Sequence, residues 1–314
     1  MTPLPLLLTN ISLCILAGVS GISFNSWIVS VNIKDWRRGV RMSPCDQLLS
    51  FMGLVNILMQ TVWSVDMFLG QVTCKETFAR IDLWFYFFLF FIVPYNMWLT
   101  AWLSTYFCLR IVSFTKGIFL VMKMRISGFL PKLLVASAVY CFFLAIQLPW
   151  NIHAETTQAV IGNATSNSTS EYVTVTVRFP YIITVGVGTI LPLLLTLIPI
   201  GLTLVSLWRH TYRMKMNTSD SCRPQTQAHV TAARTMILLV TLHTTFQACA
   251  ISYLMRIFNI IGIPLFFCWY FLLFYCTLQS IVIITGNTKQ WKASKGILSR
   301  SGLTCQGVPA TQDG

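Results

Sequence analysis

The sequence predicts an all-α membrane protein, a seven-transmembrane helix bundle with its N-terminus outside and its C-terminus in the cytoplasm. Three observations carry that reading: a deficit of charge, seven runs long enough to cross a bilayer, and basic residues gathered in alternate connections. Of 314 residues, 55% are hydrophobic and 10% charged, and the mean hydropathy is +0.68. A soluble domain has about a quarter of its residues charged, so a soluble globule is excluded.

About twenty apolar residues cross a bilayer as a helix. Such runs stand at about 8–33, 44–69, 83–109, 128–150, 179–208, 235–256 and 263–286. An odd number of spans puts the termini on opposite sides. The connections after spans one, three and five, with the C-terminal tail, carry 18 of the 22 basic residues; Lys75, Arg80, Arg178 and Arg256 are the others. Basic loops stay in the cytoplasm, which orients the bundle and accounts for the net charge of +13 without a nucleic-acid partner. The sequons at Asn163 and Asn167 fall in the connection 151–178, on the outer side by that count, and are the candidate glycosylation sites. The first 33 residues carry no charge; a cleavable leader begins with a basic segment, so the first span reads as its own signal-anchor. The tail 293–314, with its Gly, Ser, Thr and Pro, reads as unstructured.

The chemistry of an enzyme is missing from this pattern. No two of the ten cysteines make a C-x-x-C pair, no P-loop or nucleophile–base pair appears, and His243 is the one histidine well inside a span, read as a packing residue. No cofactor or metal is expected. A small-solute transporter predicts two similar halves with paired broken helices, and no internal repeat is visible. A seven-span signalling receptor at the plasma membrane remains.

Four segments carry a resemblance. Residues 103–126 read LSTYFCLRIVSFTKGIFLVMKMRI, 206–214 SLWRHTYRM, 228–236 AHVTAARTM and 280–289 SIVIITGNTK; Asn25, Val31 and Asn32 join them in the first span. In that order they resemble the end of the third helix and second cytoplasmic loop, the end of the fifth helix, the third cytoplasmic loop and the end of the seventh helix of the bitter taste receptors. Vomeronasal type 1 receptors are the nearest alternative.

The resemblance implies a small-molecule agonist, a heterotrimeric G protein of the gustducin type and no enzymatic activity. It implies ligand contacts at Phe85, Phe88, Leu89, Val93 and Trp269, and G-protein contacts at Arg110, Lys123, Arg125, His210 and His229. Leu89 and Val93 stand where many members carry a Trp and an Asn, and Trp269 where some carry an acidic residue, which predicts neutral, lipophilic agonists. Asn56 stands where the family usually has an Arg paired with the first-helix Asn, here Asn25. An Asn25–Asn56 hydrogen bond is the expected replacement, with Ser280 and Asn287 as further polar ties between helices.

Overall fold

The computed structural model describes residues 4–72, 75–112, 118–163, 166–177, 179–216, 223–254 and 263–300. The chain runs as α1 (Leu4–Arg37), α2 (Pro44–Val72), α3 (Lys75–Ile111), α4 (Ile118–Ile146), the short α5 (Leu148–Asn151), β1 (Ile152–Asn163), β2 (Ser166–Val177), α6 (Phe179–Met216), α7 (Arg223–Leu254), α8 (Ile263–Gly286) and α9 (Thr288–Arg300). Apart from α5 and α9, every helix is at least 24 residues long. Among the described residues, segments of α1, α2, α3, α4, α6 and α8 are long and apolar enough to cross a membrane. α7 opens instead on the polar run 223–234.

The helix ends follow from local chemistry. α1 stops because Gly39 takes φ +82°, and the amides of Gly39 and Val40 return to the carbonyls of Trp36 and Asp35 at 3.0 and 3.1 Å. That pair of bonds satisfies carbonyls the helix leaves orphaned. α2 starts on a reciprocal cap: Ser43 Oγ accepts from the Asp46 amide at 3.1 Å, while Asp46 Oδ2 accepts from the Ser43 amide at 3.4 Å. Pro44 follows at the first helical position, where its missing N–H leaves no bond unmade.

α3 lies at the centre and packs on α2, α4 and α6, while α1 packs on α2 and α8, and α7 on α8. Its residues 94–101 are all buried. Met52, Met59, Met97, Leu99, Leu103 and Tyr275 fill the core between these helices. Large apolar side chains such as Phe143, Ile198 and Trp208 point outward instead, exposed by 59%, 59% and 70%. An apolar exterior around helices that satisfy their own backbone is what a bilayer accepts.

Two departures from the sequence reading stand out. The connection 151–178 forms a two-stranded antiparallel sheet, with Ile152 opposite Val177 and Asn163 opposite Ser166. Its alternation of β-branched residues, Val173-Thr174-Val175-Thr176-Val177, suits a paired strand. The tail read as unstructured from 293 is helical to Arg300, because α9 has somewhere to dock: it packs on α8 and α1. Residues 301–314 lie outside the described residues. The bundle thus has a hairpin end, where β1 and β2 sit, and an α9 end.

Candidate functional site

Polar side chains buried among apolar helices must find one another, because neither lipid nor an apolar core offers them a partner. Here four amides do so at the middle of the bundle. Asn25 of α1, Asn56 of α2, Asn96 of α3 and Gln279 of α8 are each at most 2% exposed. Asn56 Nδ2 donates to Gln279 Oε1 at 3.0 Å, Gln279 Nε2 to Asn96 Oδ1 at 3.5 Å, and Asn96 Nδ2 back to Asn56 Oδ1. The ring is closed head to tail. Asn56 Nδ2 also donates to Asn25 Oδ1 at 2.9 Å, and Asn25 Nδ2 reaches the carbonyls of Gly21 at 2.8 Å and Cys276 at 3.4 Å. Three consecutive helices and α8 therefore meet through one residue, Asn56.

A second polar layer closes the α9 end. Asn32 of α1 donates to Ser50 Oγ at 3.0 Å and to the Asp46 carbonyl at 3.2 Å, and its Oδ1 accepts from Gln290 Nε2 of α9 at 3.2 Å. Lys289 Nζ stands 3.1 Å from Asp35 Oδ2 and 3.2 Å from Asp46 Oδ1, so one ammonium ties α9 to α1 and α2. Asn287 organises this turn: its Oδ1 accepts from the amides of Lys289 and Gln290 at 2.9 and 3.3 Å, capping α9. Beside it, Gly286 lies so close to α7 that a Cβ there would stand 2.3 Å from the Thr235 side chain.

Between these helices the α9 end holds a cavity of about 780 Å³. Leu103, Phe107, Arg234, Leu239, Asn287 and Trp291 are among its lining residues. Near its wall Arg110 Nη1 donates to Tyr106 Oη at 2.7 Å, one turn back along α3. Arg125 is exposed on α4. Lys123, His210 and His229 lie on α4, α6 and α7, and their side chains are outside the described residues. The same holds for Asn163 and Asn167 beside the β1–β2 turn.

The ligand candidates do not converge on one described cavity. Leu89 is buried in the core, and Val93 packs against it. Phe85 is half-buried. Phe88 is 47% exposed and meets Phe87 edge-on at 5.7 Å, while Phe87 meets Phe142 of α4. That face of α3 is turned outward, whereas Trp269 lines a groove with α1 and α2. Ser280 is fully buried and donates to the Cys276 carbonyl of its own helix at 2.6 Å, so it ties no second helix. His243 pairs through Nδ1 with Tyr275 Oη at 3.3 Å, and Phe246 lies over that tyrosine ring at 4.0 Å.

Asn96, Gln279 and Gln290 escape the sequence reading, although each is a lone amide within or beside an apolar run. That signal marks a buried tie, but only the register between helices says to what.

The chain matches the taste receptor protein (TAS2R) family over residues 2–301. The chain belongs to this family. Taste receptor type 2 member 13 of Papio hamadryas is 28% identical over 296 residues, covering 92% of this chain and 95% of that protein. Member 124 of Rattus norvegicus is 26% identical over 91% and 93%, and member 40 of Gallus gallus 26% over 74% and 76%. In fold the receptor is similar to squid rhodopsin, at a TM-score of 0.66 over 98% of this chain and 90% of that one, with 11% identity. This taste receptor is therefore a multi-pass membrane protein and not an enzyme, with a small-molecule ligand and a heterotrimeric G protein as the partners its family implies.

Proposed function

We propose that this receptor detects small, neutral, lipophilic bitter compounds at the plasma membrane and signals through a gustducin-type G protein, with its α9 end in the cytoplasm. One observation supports the ligand class above others: among the described buried residues there is no Asp, Glu, Lys or Arg. A cationic ligand would lose its hydration on entering such an interior and meet a carboxylate at its margin, on half-buried Asp66 of α2, rather than within it. Asn25, Asn56, Asn96 and Gln279 bond one another, which leaves apolar and aromatic surface beside them to meet a ligand.

The α9-end cavity supports the partner. Arg110, Lys123, Arg125, His210 and His229 lie on helical segments that run to this end, and Arg234 lines the cavity itself. An agonist acts by binding the active arrangement better than the resting one, and needs no other lever. Glycosylation at Asn163 and Asn167 accords with the hairpin end outside.

The test is calcium release in cells co-expressing the receptor with a gustducin-like Gα subunit, against a panel of neutral and cationic bitter compounds. The expected result is a graded response to neutral members, lost in an Arg110→Ala variant that still reaches the surface. Silence across the panel with surface expression verified, or solute uptake that survives Arg110→Ala, overturns the reading.

A further inference from the structure

α7 and α8 pack along one antiparallel seam, and contacts mark its length. At the α9 end Gly286 lies against Thr235. Near the middle His243 Nδ1 meets Tyr275 Oη at 3.3 Å, with Phe246 over the same tyrosine ring. About two turns further toward the hairpin end, six residues on from His243 and seven back from Tyr275, stand Cys249 of α7 and Cys268 of α8. Their thiols are hydrogen-bonded to each other. The register set by the first two contacts thus brings the two sulfurs together.

Both cysteines are free thiols within the core, Cys249 4% and Cys268 9% exposed. As packing, each is a small apolar side chain with a weak donor. Facing each other from two helices, they are also the two halves of a disulfide. An S–S bond is about 2.05 Å long, and thiols already in hydrogen-bond contact reach it by a small approach along the seam.

We propose that Cys249 and Cys268 form a redox modification site, a dithiol that a lipid-soluble disulfide converts into a bridge between α7 and α8. Cys268, the more exposed, gives up its proton and attacks one sulfur of the oxidant. The oxidant's S–S bond breaks, a mixed disulfide forms on Cys268, and one small thiol leaves with the proton. Cys249 then attacks the Cys268 sulfur: the bridge forms, and the second small thiol leaves with the proton of Cys249. Two protein thiols are oxidised, and one small disulfide is reduced to two thiols. Only an oxidant that dissolves in the bilayer reaches so buried a pair, so the dithiol is the ordinary state. The site is independent of the bitter-compound reading, and its test involves no signalling.

The test is oxidation of the full-length receptor in phosphatidylcholine nanodiscs with dithiodipyridine, then acid quenching, alkylation of the remaining thiols and mass spectrometry without reductant. Trypsin cuts at Arg256 and chymotrypsin at Trp269 and Tyr270, which puts Cys249, Cys268 and Cys276 on separate peptides. A peptide pair joined through Cys249 and Cys268 is expected in most molecules, and reductant should return both thiols. The pair should vanish in Cys268→Ala and persist in Cys276→Ala. The bridged receptor should also melt a few degrees above the reduced one, because the bridge restricts the unfolded chain. Cys249 and Cys268 recovered unlinked, or joined to other cysteines instead, overturn the proposal. So does an equal yield of the pair in receptor unfolded with dodecyl sulfate before oxidation, since the folded seam then contributes nothing.

Discussion

The two halves of this bundle are held together differently. From its middle to the α9 end, helices are joined by side chains that reach across to one another: the amide ring, the Asn32 cluster and the Lys289 ion pairs. Toward the hairpin end the described ties are single and separate: Tyr270 Oη donates to Asn10 Oδ1, Tyr181 Oη to the Leu144 carbonyl and Gln247 Nε2 to the Thr189 carbonyl, beside ring pairs such as Phe90 with Tyr181 and Phe87 with Phe142. Hydrogen bonds fix direction and register, whereas apolar contacts fix only proximity. One half is therefore held by connected networks, and the other by isolated hydrogen-bonded pairs that share no partner.

Asn56→Leu tests the networked half most severely. It leaves Asn25 Oδ1, Gln279 Oε1 and Asn96 Nδ2 without that partner at once, and unsatisfied buried groups cost about 1–3 kcal/mol each. A destabilisation of about 3 kcal/mol is expected, seen as poor surface expression and a lowered melting temperature of the purified receptor. Unchanged melting would mean that the ring holds nothing.

Gly286→Ala comes next. The added methyl meets Thr235 at 2.3 Å, and overpacking of this kind costs roughly 1–3 kcal/mol. It should push α7 from α8 at the α9 end and raise basal signalling. Thr235→Gly in the same chain removes the clash and should restore the basal level; if it does not, the close approach is not what Gly286 serves.

Lys289→Ala should do less. Its side chain is 31% exposed, and ion pairs so close to solvent contribute up to about 1 kcal/mol. The effect should shrink further in high salt. Phe88→Ala marks the other half: from an outward-facing site its effect on stability should stay within about 0.5 kcal/mol. A loss as large as that of Asn56→Leu would abolish the contrast between the halves.

Much of this arrangement is legible without coordinates. Apolar runs mark the long helices because a bilayer demands them, and Ser43-Pro44 with Asp46 and Gly39 mark helix ends because capping is local. The Asn25–Asn56 bond is also legible, through the loss of a charged partner that the family resemblance supplies. The rest depends on register. Nothing along α3 or α8 says that Asn96 and Gln279, 183 residues apart, share one ring. Likewise Phe88 reads as pocket lining by its place at the outer end of the third span, yet the turn of α3 faces it outward. Trp269 lies toward the hairpin end of α8, and its neighbours on α1 and α2 come from segments the motif does not include.

The amide ring has one more consequence. Asn and Gln neither take up nor release protons over the range where carboxylates and imidazoles titrate, roughly pH 4–7. The junction of α1, α2, α3 and α8 therefore keeps the same bonds in acid as in neutral fluid. A sensor built around it can meet sour mixtures without its central clasp changing state.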